Sequence, residues 1–302
     1  TMLETLPIDL ICITLLEGYF EGVVSLIETI RSFGCRAHIA VGGVMPSLTP
    51  EHVAVHLPEI TFVCRGAGEV FLPKLSTLVA GHTVDDPFTE RMCDAVLEMR
   101  GMLAIDRVGR RFLAADIAHT VVVSNLDRIQ LDLQYLEPRH IQGGVEIATS
   151  RGCIHRCSFC SIMGRESYQA RSVGGLLQLL EVYHQRFKDL WGENIPSNAF
   201  RVHFSDDDFA CERDRARDFF RAVLKTPFRL SSVQVSVADM CVREEGRLLP
   251  KVDTDLLDAI RPECFADHGR PIPASDFVAD FKSRNWSSFL QLGVESYSDK
   301  EL

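Results

Sequence analysis

The sequence predicts an α/β protein in two parts, a doubly wound parallel sheet followed by a (β/α) barrel. Short apolar runs of strand length alternate with longer stretches of helical spacing along most of the 302 residues. Strands that alternate with helices form parallel sheets, because a parallel pair needs a crossover connection. A hairpin-like segment interrupts this alternation, which then resumes. We therefore expect two domains, over residues 1–100 and 144–302, joined by a hairpin and connector over 101–143.

Three strands and three helices are predicted in the first part. Gly34 follows the first helix as its C-cap, while Thr49 and Pro50 take the N-cap and first position of the second helix. The predicted strands cover 8–16, 36–43 and 59–69, and the helices cover 18–34, 49–57 and 70–81. Doubly wound sheets bind ligands at the carboxyl ends of their strands. The residues at this edge are Thr14, Gly42, Gly43 and Gly66.

A hairpin and an extended connector lead into the second part. The hairpin over 101–116 is predicted to turn at Val108 and Gly109, and the connector covers 121–140. Beyond it, strands are predicted over 145–150, 200–206, 231–239 and 288–296, and helices over 172–189, 212–225 and 275–284. This alternation is typical of a (β/α) barrel, whose active site lies on the loops after the strands.

Composition narrows the classes of function. The 42 acidic and 32 basic residues give a net charge of -10 and a pI near 5.5, which argues against a general nucleic-acid binder. No apolar run reaches the roughly 18 residues of a membrane span. The acidic first segment also lacks the basic start of a signal peptide. Ten cysteines without secretory features indicate a reducing compartment, and we therefore expect a cytoplasmic protein.

Three cysteines stand close together directly after the first predicted barrel strand. The spacing is C-x3-C-x2-C, formed by Cys153, Cys157 and Cys160. Structural zinc prefers a closed set of four ligands, and zinc here would need a distant partner such as His155, His203 or Cys211. A [4Fe-4S] cluster held by three thiolates instead keeps one iron open for a substrate or cofactor. The residues alone leave open both metals and also three cysteines that only pack in the core.

The cysteine triplet, with Phe159 just before its last cysteine, resembles the motif of the radical S-adenosylmethionine superfamily. The resemblance implies that Cys153, Cys157 and Cys160 hold a [4Fe-4S] cluster, whose open iron binds the amino and carboxylate groups of S-adenosylmethionine. It also implies an electron donor such as flavodoxin or ferredoxin. The electron would cleave the cofactor to a 5′-deoxyadenosyl radical, and Phe159 would contact that cofactor.

Other segments resemble the same family in the same order. The stretch "ARSV" resembles the start of the first barrel helix, "FSDDDF" resembles an acidic motif after the second strand, and "LGVES" resembles the end of the fourth. A carboxylate in these positions would suit the ammonium group of S-adenosylmethionine. The residues that the resemblance places at this cofactor are Ser205, Asp206, Asp207, Glu295 and Ser296.

The first part resembles the Rossmann-like cobalamin-binding domain that precedes this barrel in one large subgroup. The stretch "TLL", the glycine pair after the second strand, and "VCRGAGEVFLPKL" resemble segments of the subgroup in order, with Thr14 in place of a serine and Ala67 in place of a glutamate. Glycines let the nucleotide tail of cobalamin pass close to the backbone. The resemblance assigns cobalamin to Thr14, Leu16, Gly42, Gly43 and Gly66.

Two departures from the subgroup concern the ends of the chain. The D-x-H-x-x-G motif, whose histidine binds cobalt in many relatives, is not found, and it would fall upstream of Thr14. The first two strands of the family's sheet and the last two of its barrel have no counterpart. We therefore expect an internal fragment, with the N-terminal part of the first domain and the C-terminal part of the barrel missing.

Function follows from the two cofactors. The resemblance favours methyl transfer from cobalamin to an unactivated carbon of a small-molecule or natural-product substrate, with no nucleic-acid or membrane partner. One alternative is a radical enzyme whose first domain is only a scaffold, catalysing cyclisation or rearrangement. Another is a non-catalytic zinc or iron–sulfur binding module.

Overall fold

The structure is a computed structural model that describes residues 7–141, 143–155, 160, 168–242, 251–260, 264–266 and 289–293. The chain forms two compact units. The first unit comprises Thr1–Ser124 and His155–Ser167, and the second comprises Asn125–Ile154 and Tyr168–Leu302. None of the helices in the described ranges is long and apolar enough to cross a membrane.

The first unit is built on a sheet whose strands lie in the order in which they occur along the chain. Its strands are β1 (Leu10–Thr14), β2 (His38–Gly42), β3 (Phe62–Cys64), β4 (Met102–Asp106) and β5 (Arg111–Ala115). The first three are parallel, while β3, β4 and β5 pair antiparallel. The predicted strands and the predicted hairpin are therefore confirmed, and the hairpin extends this sheet.

The helices of the first unit include two that the sequence pattern did not predict. They are α1 (Phe20–Ser32), α2 (Val44–Leu48), α3 (Pro50–His56), α4 (Gly68–Leu78) and α5 (Glu90–Leu97). The predictions of α1, α3 and α4 are confirmed, whereas α2 and α5 are additional. Thr49 and Pro50 take the N-cap and first positions of α3, as predicted, but the Thr49 hydroxyl does not cap the helix and instead donates to the Met45 carbonyl at 3.2 Å.

Apolar side chains on both faces of β2 explain why helices cover the sheet on two sides. Successive side chains of a strand point to opposite faces. Ile39 and Val41 pack with a buried cluster that contains residues of α1 and α3. Ala40 packs with a different cluster, which contains Phe71 of α4 and Met92 of α5. The first unit is therefore doubly wound, as the sequence predicts.

The second unit contains a parallel sheet of four described strands, which lie side by side in the order Phe289–Gly293, Arg229–Ser236, Arg201–Phe204 and Val145–Ile147. The strands of the unit are β6 (Val145–Ile147), β7 (Ser150–Arg151), β8 (Gln169–Ala170), β9 (Arg201–Phe204), β10 (Arg229–Ser236), β11 (Cys241–Val242), β12 (Lys251–Val252) and β13 (Phe289–Gly293). The two short pairs β7·β8 and β11·β12 are antiparallel. The four predicted barrel strands are thus present and parallel, while closure into a barrel stays a prediction.

The helices of the second unit are α6 (Val173–Trp191), α7 (Arg213–Val223) and α8 (Thr254–Ala259). Two of the three predicted helices correspond to α6 and α7, and the third, over 275–284, lies outside the described residues. The connector is less extended than predicted, because Leu126–Arg128 and Pro138–His140 form 3-10 turns. The first of these turns connects the connector to α6, because the Asp127 carboxylate accepts the N–H of Ser172, the residue just before that helix.

Candidate functional site

The carboxyl ends of β6, β9 and β10 lie side by side in the second unit, because these strands are parallel neighbours. The chain after β6 leads through Thr149 and Gly152 to Cys153, and the chain after β9 carries the acidic run that begins at Asp206. The Ser205 N–H donates to the Ile147 carbonyl at 3.2 Å, which continues the pairing of the two strands into these loops. The two segments that the sequence analysis assigned to the cluster and its cofactor therefore start at one edge.

Asp206 binds the loop that leads to the cysteines. Its carboxylate accepts the Thr149 N–H at 3.2 Å and the Thr149 hydroxyl at 2.7 Å, and it also accepts the Ser150 hydroxyl. The residue is 6% exposed. Burial raises the pKa of Asp206, while these hydrogen bonds and the charge of Arg215 oppose the rise. The predicted contact with S-adenosylmethionine stays a prediction, and the contacts present make Asp206 a residue that positions the loop.

Asp207 and Ser205 are the more accessible members of the predicted acidic motif. Ser205 is exposed and Asp207 is half-buried. Burial and the nearby Asp206 carboxylate raise the pKa of Asp207, and a hydrogen bond from the Gly152 N–H lowers it. Since Gly152 immediately precedes Cys153, the carboxylate of Asp207 lies beside the cysteine loop. The Asp207 carboxylate thus has the better access to a ligand cation.

Sequence reasoning missed a pair of buried carboxyl groups at the same edge. Asp208 accepts the N–H groups of Ala210 at 3.0 Å and Ser236 at 2.9 Å, and its side chain hydrogen-bonds with that of Asp239. Burial and this neighbouring carboxyl raise the pKa of Asp208 to about 6. A buried carboxyl group beside another carboxyl group favours its protonated form, because a second negative charge there is costly. The third aspartate of "SDDDF" was the available signal.

A buried arginine that sequence reasoning also missed supports the loop that leads to the cysteines. Arg215 is 8% exposed, and it donates to the Thr149 hydroxyl at 3.2 Å and to the Phe209 carbonyl at 3.3 Å. Its guanidinium also lies 5.0 Å from the centre of the Phe209 ring. The arginine therefore compensates the buried charge of Asp206 through the shared partner Thr149. Its place on an amphipathic helix gave no sequence signal.

The predicted metal ligands are described only in part. Cys153 is buried and Cys160 is half-buried, whereas Cys157 lies outside the described residues. Phe159, Glu295 and Ser296 also lie outside them, the last two shortly after the end of β13. A further thiol, that of Cys211, lies 4.0 Å from the Cys153 sulfur. Burial raises the pKa of the Cys211 thiol.

In the first unit, Gly43 lies where the chain must pass very close to its neighbour. Its φ is 105°, and an added Cβ would lie 3.0 Å from the Thr14 side chain and 3.1 Å from the Leu15 carbonyl oxygen. The Leu15 N–H donates to the Gly42 carbonyl at 2.8 Å, and this bond holds the two strand ends together. Thr14 and Leu16 are exposed on either side of the buried Leu15. Four of the five residues assigned to cobalamin therefore share this strand-end edge.

Gly66, the fifth residue, requires a glycine for a reason within the fold. A Cβ there would lie 2.1 Å from the Val121 carbonyl oxygen, and φ is 117°. Val121 forms a parallel bridge with Gly66, and its backbone bonds with Arg65 and Ala67. The close approach of this segment accounts for the glycine without a ligand. Contact between Gly66 and cobalamin stays a prediction.

The arrangement of a doubly wound sheet followed by a second parallel sheet is shared with two radical S-adenosylmethionine enzymes of known structure. Two solved structures carry this comparison. The cobalamin-dependent S-adenosylmethionine radical enzyme OxsB, with aqua-cobalamin bound, matches 100% of this chain with a TM-score of 0.57 and 20% identity. The radical S-adenosylmethionine methyltransferase TsrM from Kitasatospora setae, with cobalamin and a [4Fe-4S] cluster bound, matches 85% with a TM-score of 0.53 and 16% identity.

The chain spans 37% of the OxsB chain and 48% of the TsrM chain. No protein-family model and no curated protein matches the chain. At these identities the comparisons establish the fold, and they confirm the resemblance that the sequence motifs predicted.

Proposed function

We propose that this chain is the cofactor-binding part of a radical S-adenosylmethionine enzyme that uses cobalamin. Cys153, Cys157 and Cys160 would hold a [4Fe-4S] cluster, which supplies reductive cleavage of S-adenosylmethionine when it is bound. The observation that carries the proposal is the hydrogen bonding between the acidic run after β9 and the backbone that enters Cys153. Soft thiols and a carboxylate at one strand-end edge suit a cluster and an aminocarboxylate cofactor.

The residues of the second unit have separate tasks in this proposal. Asp206 and Arg215 fix the loop that leads to Cys153, since both are buried and both hydrogen-bond to Thr149. Asp207, half-buried beside Gly152, would accept the ammonium group of S-adenosylmethionine. Ser205, Glu295 and Ser296 would add polar contacts to the same cofactor.

The first unit would bind cobalamin at the strand ends of β1 and β2. The tight approach at Gly43 leaves no room for a side chain there, and it brings Thr14 and Gly42 to one edge. Doubly wound sheets bind their ligands at strand ends of this kind. Gly66 would lie at the margin of this site, beside Val121.

The reaction that we propose is methyl transfer from cobalamin to an unactivated carbon of a small molecule. In support, TsrM is a radical S-adenosylmethionine methyltransferase of the same fold. A cavity of about 870 Å³ in the second unit offers space for a substrate. It is lined by Cys211, Asp239 and the segment 251–255, part of the region beyond β10. An external one-electron donor such as flavodoxin or ferredoxin would supply the electron that reduces the cluster.

Anaerobic reconstitution with iron and sulfide tests the cluster. The wild type and the control Cys241→Ala should each take up about four irons per chain with a brown absorbance, and Cys153→Ala should not. Cys241 serves as the control because it is a half-buried thiol of the second unit that lies outside the three-cysteine motif. Dithionite and S-adenosylmethionine should then yield 5′-deoxyadenosine. A wild type that binds one zinc ion and no iron–sulfur cluster would establish the non-catalytic module.

Gel filtration with hydroxocobalamin tests the second cofactor. The reconstituted wild type should retain about one cobalamin per chain, and S-adenosylmethionine labelled at its methyl group should transfer the label to a methylated product. Cluster-dependent cleavage without retained cobalamin would favour the alternative, a radical enzyme with a scaffold domain that catalyses cyclisation or rearrangement.

A further inference from the structure

Two exposed histidines lie one turn apart on α3, in the stretch "HVAVH" of the first unit. His52 and His56 are four residues apart, and side chains at this spacing lie on the same face of a helix. The centres of their rings are 4.1 Å apart, with an angle of 29° between the ring planes. The two imidazoles are therefore in contact on a surface that solvent reaches.

One hydrogen bond determines which nitrogen of His56 is free for a ligand. Its Nδ1 atom lies 2.9 Å from the carbonyl oxygen of His52. Because a carbonyl oxygen only accepts, Nδ1 carries the proton, and in the neutral ring Nε2 carries the lone pair. A histidine that binds a metal commonly donates its other ring N–H to a backbone carbonyl in this way. His56 thus has the hydrogen bond that orients a metal ligand.

Other histidines of the described ranges have protein partners at their rings. The buried His38 has its Nδ1 atom 3.3 Å from the Thr61 hydroxyl, and His203 donates from Nε2 to the Gly143 carbonyl at 2.9 Å. His119 is exposed, as the pair on α3 is, but its Nδ1 atom lies 3.4 Å from the Asp116 carboxylate. His119 is therefore a suitable control, since it is an exposed histidine whose partner is a carboxylate.

We propose that His52 and His56 together bind one divalent transition-metal ion of the zinc, nickel and copper group. Imidazole nitrogens suit these ions, and two histidines at i and i+4 of a helix are a recurring zinc-binding arrangement. A zinc–nitrogen bond is about 2.0–2.1 Å long, and small side-chain rotations bring both rings onto one ion. His56 also lies in the last turn of α3, where the helix dipole favours a cation.

The coordination would be completed by water. Among the described residues, no third histidine, cysteine, aspartate or glutamate joins the pair. A site with open positions exchanges its ligands, unlike a structural zinc site with four protein ligands. The site belongs to the first unit, does not involve the cysteine motif and goes beyond the proposed function.

Equilibrium dialysis with Ni²⁺ tests the site in the untagged, reconstituted full chain. Wild type should bind about one more Ni²⁺ ion per chain than the double variant His52→Gln/His56→Gln. Each single variant should weaken this binding at least about tenfold, because loss of even an outer partner of a metal site costs 10- to 100-fold in affinity. The control His119→Gln should bind as wild type does. Cysteine thiolates also bind Ni²⁺, but their complexes absorb in the near ultraviolet, and the nickel lost in the variants should carry no such absorbance.

The single variants distinguish one shared ion from two independent rings. One shared ion needs both nitrogens, and each single variant should therefore lose as much affinity as the double variant. Single variants that bind as wild type does, or that each account for only half of the loss, would overturn the proposal.

Thermal unfolding gives a second readout, because only the folded helix presents both rings to one ion. Ni²⁺ should raise the unfolding midpoint of wild type and His119→Gln further than that of His56→Gln. An equal rise in all three proteins would show that the pair does not bind the ion. These measurements do not depend on the iron–sulfur cluster, and a failure of the proposed function would be seen separately, in the iron content of wild type and Cys153→Ala.

Discussion

Replacement of Asp206 by alanine should destabilise the second unit, because it removes the acceptor of three buried donors. Thr149 and Ser150 are 0% and 2% exposed, and their donors reach the Asp206 carboxylate. The two hydroxyls can rotate toward other acceptors, whereas the Thr149 N–H cannot. A buried donor left without a partner costs about 1–3 kcal/mol.

The magnitude follows from these contacts and from the charge that remains. The N–H contributes the larger part, and the two hydroxyls and the uncompensated Arg215 add to it, which gives a loss of about 3 kcal/mol for Asp206→Ala. Asp206→Asn keeps one acceptor oxygen and should cost about 1–2 kcal/mol. The control Asp207→Asn, at a half-buried group, should change stability by less than about 1 kcal/mol.

Urea unfolding followed by tryptophan fluorescence measures these losses of stability in the second unit. Trp191 and Trp286, the only tryptophans of the sequence, both belong to the range of the second unit. A double-mutant cycle of Asp206→Asn with Ser150→Ala should give a coupling energy of about 1 kcal/mol. A loss below about 0.5 kcal/mol for Asp206→Ala, or no coupling, would refute the positioning role. Weakened S-adenosylmethionine binding at unchanged stability would instead make Asp206 a direct cofactor contact.

Three further predictions concern other parts of the chain. Gly43→Val should abolish the retention of cobalamin on gel filtration and leave iron uptake unchanged. The control Gly42→Ala, whose Cβ would meet no atom closer than 3.8 Å, should still retain cobalamin. Equal retention by the two variants would contradict the proposed site. Burial lowers the pKa of His38 to about 4, and the native state therefore loses about 3 kcal/mol as the pH falls from 7.5 to 4. Hydrogen exchange of β2 should show that loss in wild type and not in His38→Leu. The pKa of Asp208 is raised to about 6. Protonated Asp208 therefore stabilises the native state fully below pH 4, and this stabilisation is lost as the pH rises through 6. The difference in urea stability between wild type and Asp208→Asn should follow that course, and a difference independent of pH would show that Asp208 does not titrate there.

The strands could be predicted because their signal is local. Ile39 and Val41 belong to a short apolar run, and its length and glycine ending are enough to identify a parallel strand. Helix α5 was missed although Thr89 caps it by accepting the Met92 N–H at 3.2 Å, a signal that the sequence contained. Helix α2 has only five residues and contains Pro46, and no periodic pattern can be read over that length.

The candidate site could be predicted only where a motif is contiguous. Asp206 and Asp207 belong to one acidic run, and their neighbourhood to the cysteines followed from the family order. The different roles of Asp206 and Asp207 could not be predicted, since Thr149, the partner of Asp206, lies fifty-seven positions away in the chain. Arg215 was likewise invisible, because its partners come from other elements and its helix looks like an ordinary amphipathic one.

The glycines of the first unit show why a motif cannot assign a ligand by itself. Gly43 and Gly66 both have φ near 110°, and both follow a parallel strand. At Gly66 the excluded space already belongs to the Val121 backbone, and the fold alone therefore requires the glycine. At Gly43 the nearest atoms are those of the adjacent strand end, beside the exposed Thr14 and Leu16. The fold therefore accounts for both glycines, and the cobalamin site proposed at Gly43 depends on the exposed strand ends beside it rather than on the glycine itself.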